Sequence, residues 1–483
     1  MRQEEAKKAV IGLSRFGLGA RPGDLAAIGG GIREALLEEA ASRAVFMPAG
    51  EHVLPSAEAF HRLKLEREKV RELRLAAIPP KDAAAAAPAK SAPAEAMEGD
   101  PKMQSGAGQR QPLRQAVREI FQAETLGRVQ AARQARTGFA ERMVMFWSNH
   151  FCVSARKAGV TRILAGAYER EAIRPHVFGR FSDMLLAVEK HPAMLVYLDN
   201  EQSVGPNSRG GQRMQKGLNE NLSREVLELH TLGADGGYSQ EDVTSLARIL
   251  TGWRFARDDN ALGSEGRYVF NPNLHEPGDH ELLGVVYRED GAAQGEKALL
   301  ALARHPATAR HIAKKLAIHF VSDTPDPKLV SRLEKNFRDT DGDLASVSKA
   351  LIEAPEAWEP QPAKLRLPYE FLVASVRAAN VEMQAPQING ALNSMGQPLW
   401  SPPAPNGFSD LTATWASPKG MKSRLDFAAR FSQFIPGDAK PTELLEEIIG
   451  PAASEHTRMA VARASSRQQG YALLLMSPEF QRR

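Results

Sequence analysis

Within ten residues, Asn221 to His230, the chain places an amide, a guanidinium, two carboxylates and an imidazole. At about 100° per residue, Asn221, Arg224, Glu225 and Glu228 fall on one helical stripe, beside an apolar stripe of Leu218, Leu222, Val226 and Leu229. Glu225 and Glu228 are three apart and share a side, so one can serve as a general base or both can hold a divalent cation. Arg224 would hold an anionic group and Asn221 would hydrogen-bond it. His230, two residues beyond Glu228, lies about 160° from it on an ideal helix and joins only if the helix end unwinds. The competing reading is a buried polar network in which Arg224 bridges Glu220 and Glu228 at i and i+4.

Further candidates lie outside this stretch. His150 ends the run PheTrpSerAsnHisPhe (146–151) and could complete the catalytic group, or could be satisfied by a helix end or a backbone carbonyl. Arg174 is a second guanidinium for an anion, although Glu169, Arg170, Glu171 and Arg174 together read as a solvated ion-pair face. Trp400 and Asn406, on a proline-fixed loop over 396–408, are placed to wall a pocket. His275 and Glu276, with Asp279 and His280 close by, crowd imidazoles and carboxylates into one loop and are the candidate metal ligands. Asp339 to Asp343 has the look of a calcium loop, but its glycine falls too early, so Asp343 reads as a helix N-cap.

The elements that must position these groups are mostly helices. The stretch 219–232 reads as one helix, stopped by Gly233 in a left-handed cap, and Ser239 with Asp242 opens the next in a capping box. Helical spacing also covers residues 1–77 and most of 112–483, which are expected to form one module. Between them, residues 78–111 are rich in Ala and Pro with few large apolar side chains, the composition of a disordered insertion. Short strands and turns are expected around 262–286. The predicted fold class is mainly α, a multi-helix orthogonal bundle with a small irregular or short-strand insertion.

The chain has 483 residues, a formal charge of +4 and one cysteine, Cys152. Near-balanced charge without basic, aromatic-interleaved runs argues against a nucleic-acid partner. A lone cysteine excludes internal disulfides and multi-cysteine metal sites. No apolar run approaches the ~20 residues of a membrane span, and the first residues lack a secretory core, so the chain as written is expected in the cytoplasm.

Several motifs occur together and in order: ArgPheGlyLeuGlyAlaArgProGlyAsp (15–24), PheTrpSerAsnHisPhe, the stretch 219–233 followed by GlyGlyTyrSerGlnGluAspVal (236–243), LeuThrGlyTrp (250–253), HisIleAlaLysLysLeu (311–316), and GlyGln, ProPro and AsnGlyPhe within 396–408. Together they resemble the bacterial family known as domain of unknown function number eighteen hundred. That resemblance implies gene neighbours coding for exported proteins similar to sulfatases and alkaline phosphatases. It also implies export leaders on many members, and so an export-linked role. Two functions are expected on these grounds. One is a hydrolase-like or transferase-like enzyme with a carboxylate, arginine and histidine pocket for a phosphorylated or sulfated substrate. The other is a non-catalytic binding or assembly partner of an exported sulfatase-like protein.

Overall fold

The computed structural model describes residues 3–76, 111–359, 363–436 and 440–483. The expected disordered insertion, 78–111, lies outside these residues except for Gln111. The fold is mainly α with a short-strand insertion, as the spacing predicts. The helices that matter below are α1 (Gln3–Arg15), α2 (Gln111–Gln134), α3 (Phe139–His150) and α4 (Phe181–Lys190). Then come α5, α-helical over Asn221–Glu225 and π-helical over Val226–His230, and α6 (Gln240–Ile249). They are followed by α7 (Pro306–Phe320), α8 (Pro368–Ala379), α9 (Ala385–Ser394) and α10 (Pro418–Phe431).

The strands make two antiparallel pairs, β1 (Trp253–Phe255) with β2 (Tyr268–Phe270), and β3 (His280–Leu282) with β4 (Val285–Tyr287). Trp253 faces Phe270 and His280 faces Tyr287 in the two registers. Pairs this small are not stable alone. β1 and β2 are held by burying Trp253 and Val269, and β3 by burying Leu282.

One apolar core runs from Ala9 to Phe480. Phe16, just past α1, packs its ring 6.4 Å from Phe139 of α3 and 6.3 Å from Phe320 of α7, so the first helix is built into the centre. Phe146 and Trp147 of α3 are fully buried, each contributing about 1.5–3 kcal/mol of apolar burial. Among the described residues, no helix is long and apolar enough to cross a membrane.

Local signals fix the edges of the central hairpin. Gly233 has φ +87°, and a Cβ there would stand 2.8 Å from His311 Nδ1, so both backbone and space demand glycine. Ser239 Oγ accepts from Asp242 N (3.1 Å) while Asp242 accepts from Ser239 N (2.8 Å), the capping box that opens α6. Asp343 caps its helix by accepting from Ser346 N, which accounts for the acidic run before it.

Charge-dense sequence is not always surface. Glu169, Arg170, Glu171 and Arg174, expected as a solvated face, instead form part of a buried network. Arg174 is fully buried and its guanidinium donates to Glu141 (2.7 and 3.0 Å), Glu169 (3.0 Å) and Phe46 O (2.9 Å). A second π turn, Glu169–Ile173, carries Glu169 into this network.

Candidate functional site

The segment after α3 lies beside the loop 400–408, running antiparallel to it. Ala155 N donates to Trp400 O (2.7 Å), Ser154 Oγ to Pro402 O (3.2 Å) and the Cys152 thiol to Pro405 O (3.1 Å). Asn149 closes the row, its amide donating to Phe408 O and its carbonyl accepting from Phe408 N, both at 2.8 Å. Gly407 has φ +79°, and a Cβ there would meet Asn149 O at 2.5 Å. The two motifs 146–151 and 402–408, far apart in sequence, are thus halves of one hydrogen-bonded unit. Burial pushes the Cys152 thiol up to about 12, so it is a structural donor rather than a nucleophile.

This unit forms one wall of a cleft of about 480 Å³. The opposite walls bring Tyr197 and Asp199 from the end of a short helix, and Asn221 and Glu225 from the first turn of α5. Arg156 and Lys157 stand on the near rim. Lys157 donates to Asp199 at 2.6 Å, and Asp199 holds a left-handed backbone with φ +58°. Trp400, at the root of the loop, is also left-handed at φ +44°, a costly conformation for so bulky a residue. Its ring is tied down by a 3.1 Å bond from Nε1 to Glu169.

Glu225 is half-buried in the cleft wall and makes no hydrogen bond or ion pair with any described residue. Burial, with Glu228 adding to it, raises its pKa above the usual carboxylate range. Tyr197 is buried to 8% exposure in the same wall, and burial raises its phenol too. Arg156 is exposed and unpaired among the described residues.

The π turn decides where the rest of α5 points. Because the helix widens over 226–230, residues five apart stack on one face. Glu225 and His230 are five apart, and the charge of His230 acts on Glu225. The condition set by the ideal helix, that the end must unwind, is met. His230 is buried, with Nδ1 2.7 Å from Oε1 of the fully buried Glu189 on α4. Its Nε2 has no partner among the described residues.

The free carbonyls at the end of α5 are taken by imidazoles from other helices. His150 donates Nε2–H to His230 O and His311 donates Nε2–H to Leu229 O, both at 3.1 Å. Thr231 closes the turn by donating to Val226 O at 2.6 Å. Burial, reinforced by Lys315, holds His150 well below the usual histidine range and His311 at about 4, so both stay neutral donors. His150 is therefore sealed behind the site, satisfied by a backbone carbonyl, rather than facing the cleft.

The other candidates are placed elsewhere. Arg224 bridges Glu220 (3.1 Å) and Gln240 (2.9 Å), half of the network reading. Glu228 turns to the Tyr238 hydroxyl, 3.5 Å away. Arg174 lies in its buried network with no side open to a ligand. Trp400 is buried in the wall, and Asn406 is exposed on the loop beyond the residues that line the cleft. His275 bonds Thr251 O at 3.0 Å, and Glu276 accepts from Asn207 N (2.9 Å) and its amide (2.5 Å). The two side chains serve separate backbone anchors, and no three His, Cys, Asp or Glu converge as a metal site among the described residues.

Sequence reasoning missed Arg156, Lys157, Tyr197, Asp199 and Glu189. Only the loop signals flanking 191–200 pointed near them. It also took Lys315 as solvated, whereas it is half-buried and burial lowers its pKa.

Fold and site together define a mainly α protein with a polar cleft whose wall carries one unpaired carboxylate. The chain belongs to the family described as Protein of unknown function (DUF1800), whose model matches residues 11–482. No curated protein and no solved structure matches the chain.

Proposed function

We propose that the protein is a hydrolase-like or transferase-like enzyme acting on an anionic, phosphorylated or sulfated, substrate in the cleft beside Asn221 and Glu225. The observation that carries this reading is Glu225: a half-buried carboxylate at a cleft wall, without a partner and with its pKa raised. Structural carboxylates in this chain are matched by arginines, and a carboxylate poised above its usual range is suited to general acid–base work near neutrality. Arg156 and Lys157 at the rim would receive the anionic group, and Asn221 and the Tyr197 hydroxyl would orient it. Glu189 and His230 back Glu225 from the same face of the π turn. His150 positions that turn through the His230 carbonyl.

The test is a panel of phosphoester and sulfoester substrates. Once turnover is found, Glu225→Gln should lower it by about 10²- to 10⁴-fold, while Glu228→Gln, whose carboxylate faces Tyr238, keeps it. Full activity in Glu225→Gln would remove the enzymatic reading.

A second reading, a binding partner of an exported sulfatase-like protein, is favoured by an apolar groove of about 490 Å³ between α9 and α10. Met383, Ala391, Phe427 and Phe431 line it, and Phe434 at its edge is 51% exposed. Co-expression with the neighbouring sulfatase-like protein should then give one species on size-exclusion chromatography, which Phe434→Asp splits. Separate elution of the two native proteins would dismiss this reading.

A further inference from the structure

Across the loop 400–408 from the cleft is a second, smaller cavity of about 50 Å³, sharing only Pro402 with it. On the same measure one water needs about 10–15 Å³, so the space suits a small ion and excludes a nucleotide. Arg128 of α2 reaches into it at 8% exposure, its guanidinium held between the rings of Tyr369 (4.7 Å) and Trp400 (5.4 Å). Its Nε lies 3.0 Å from Glu169, an ion-pair contact in which the N–H is not aimed at the oxygen. Neither terminal nitrogen of Arg128 bonds any described residue.

The remaining lining adds donors without acceptors. The Tyr369 hydroxyl is buried and has no partner. Tyr369 N donates to Gln397 Oε1 (2.8 Å), which fixes the Gln397 amide and leaves its nitrogen free on the cavity side. The acceptors nearby are already engaged: Glu169 by Ser148 and Trp400, and Asn149 by Phe408. Asp410 is the one carboxylate in the lining. Its Oδ1 takes a 2.7 Å bond from His319, and its charge restricts an anion to the Arg128 side.

Buried donors left unmatched are expensive, and a guanidinium fork with a hydroxyl and an amide matches the oxygens of an oxyanion. We propose that this cavity is a binding site for a small oxyanion of the phosphate or sulfate type, held by Arg128, Tyr369 and Gln397. The assignment is independent of the chemistry proposed for Glu225.

The test is isothermal titration calorimetry of the full chain with sodium phosphate and, separately, sodium sulfate, against sodium chloride at equal ionic strength. The expected result is saturable one-to-one binding of at least one oxyanion. Tyr369→Phe removes only the unpartnered hydroxyl and should weaken that binding about tenfold, with an unchanged circular dichroism spectrum. Arg128→Lys keeps the charge but loses the fork, and should abolish binding. Glu225→Gln should bind as the wild type does. Heats for both oxyanions equal to the chloride control would overturn the assignment. So would wild-type affinity in Tyr369→Phe, or a loss of binding in Glu225→Gln, which would put the anion in the cleft instead.

Discussion

Glu169 and Glu225 occupy parallel positions, one opening a π turn and the other immediately preceding one, yet their surroundings are opposite. Burial would raise Glu169, but Arg128 and Arg174 outweigh it, with Ser148 and Trp400 adding hydrogen bonds, and its pKa ends below the usual range. Glu225 has no such partners, so burial wins and its pKa rises. The difference shows that charge density alone does not mark a site in this protein. What separates framework from candidate chemistry is whether the buried charge is matched.

That contrast can be broken most forcefully at Arg174. Arg174→Ala leaves Glu141 and Glu169 buried and unpaired, and should cost about 3–5 kcal/mol of stability in urea unfolding. A loss under 1 kcal/mol, roughly the scale of an exposed pair, would show that the network is not the matched framework described.

The pH dependence offers the next test. Glu370 of α8 is buried, and although burial opposes it, Arg142, Arg483 and His319 hold its carboxyl at about 2. Its folded pKa is depressed, so its stability is present above the unfolded carboxylate range and is lost as pH falls toward 2. At about 1.4 kcal/mol per pH unit, the wild-type advantage over Glu370→Gln should shrink by about 3 kcal/mol between about pH 5 and pH 2.

Glu225 has the reverse sign. Its raised pKa means that the folded chain binds the proton more readily than the unfolded one, so stability falls as pH rises through that pKa. Glu225→Gln should therefore melt slightly higher than wild type at pH 7, by under about 1 kcal/mol, while losing activity. Destabilisation by this variant would mean that Glu225 belongs with Glu169. The smallest effect is expected at Arg224, whose pair with Glu220 is exposed. Arg224→Ala should change stability by about 0.5 kcal/mol or less, and less still at high salt.

Features set by neighbours in sequence were legible from it. The stop at Gly233, the Ser239–Asp242 box, the Asp343 cap and the mainly α class all depend on residues within a turn of one another. Asn221 and Glu225 were legible for the same reason. The cleft itself was not, because its other walls come from 154–157, 197–199 and 402–405, which only tertiary packing brings together. Arg174 misled because a charged residue on a helix is usually solvated, and nothing local announces that Glu141, 33 residues away, will meet it. The π turn left no local trace either, and an ideal projection put His230 on the wrong side of α5.

That turn also has a meaning for the length of the chain. A π turn is equivalent to an α-helix with one residue inserted. Removing a single residue between Val226 and Leu229 would restore α geometry and rotate everything beyond by about 100°. His230 would swing away from Glu189, and its carbonyl away from His150, although every side chain of the site was still encoded. What the family must transmit is therefore a count as much as a set of residues: four positions between Glu225 and His230, a spacing intolerant of insertion or deletion even where the intervening side chains can change.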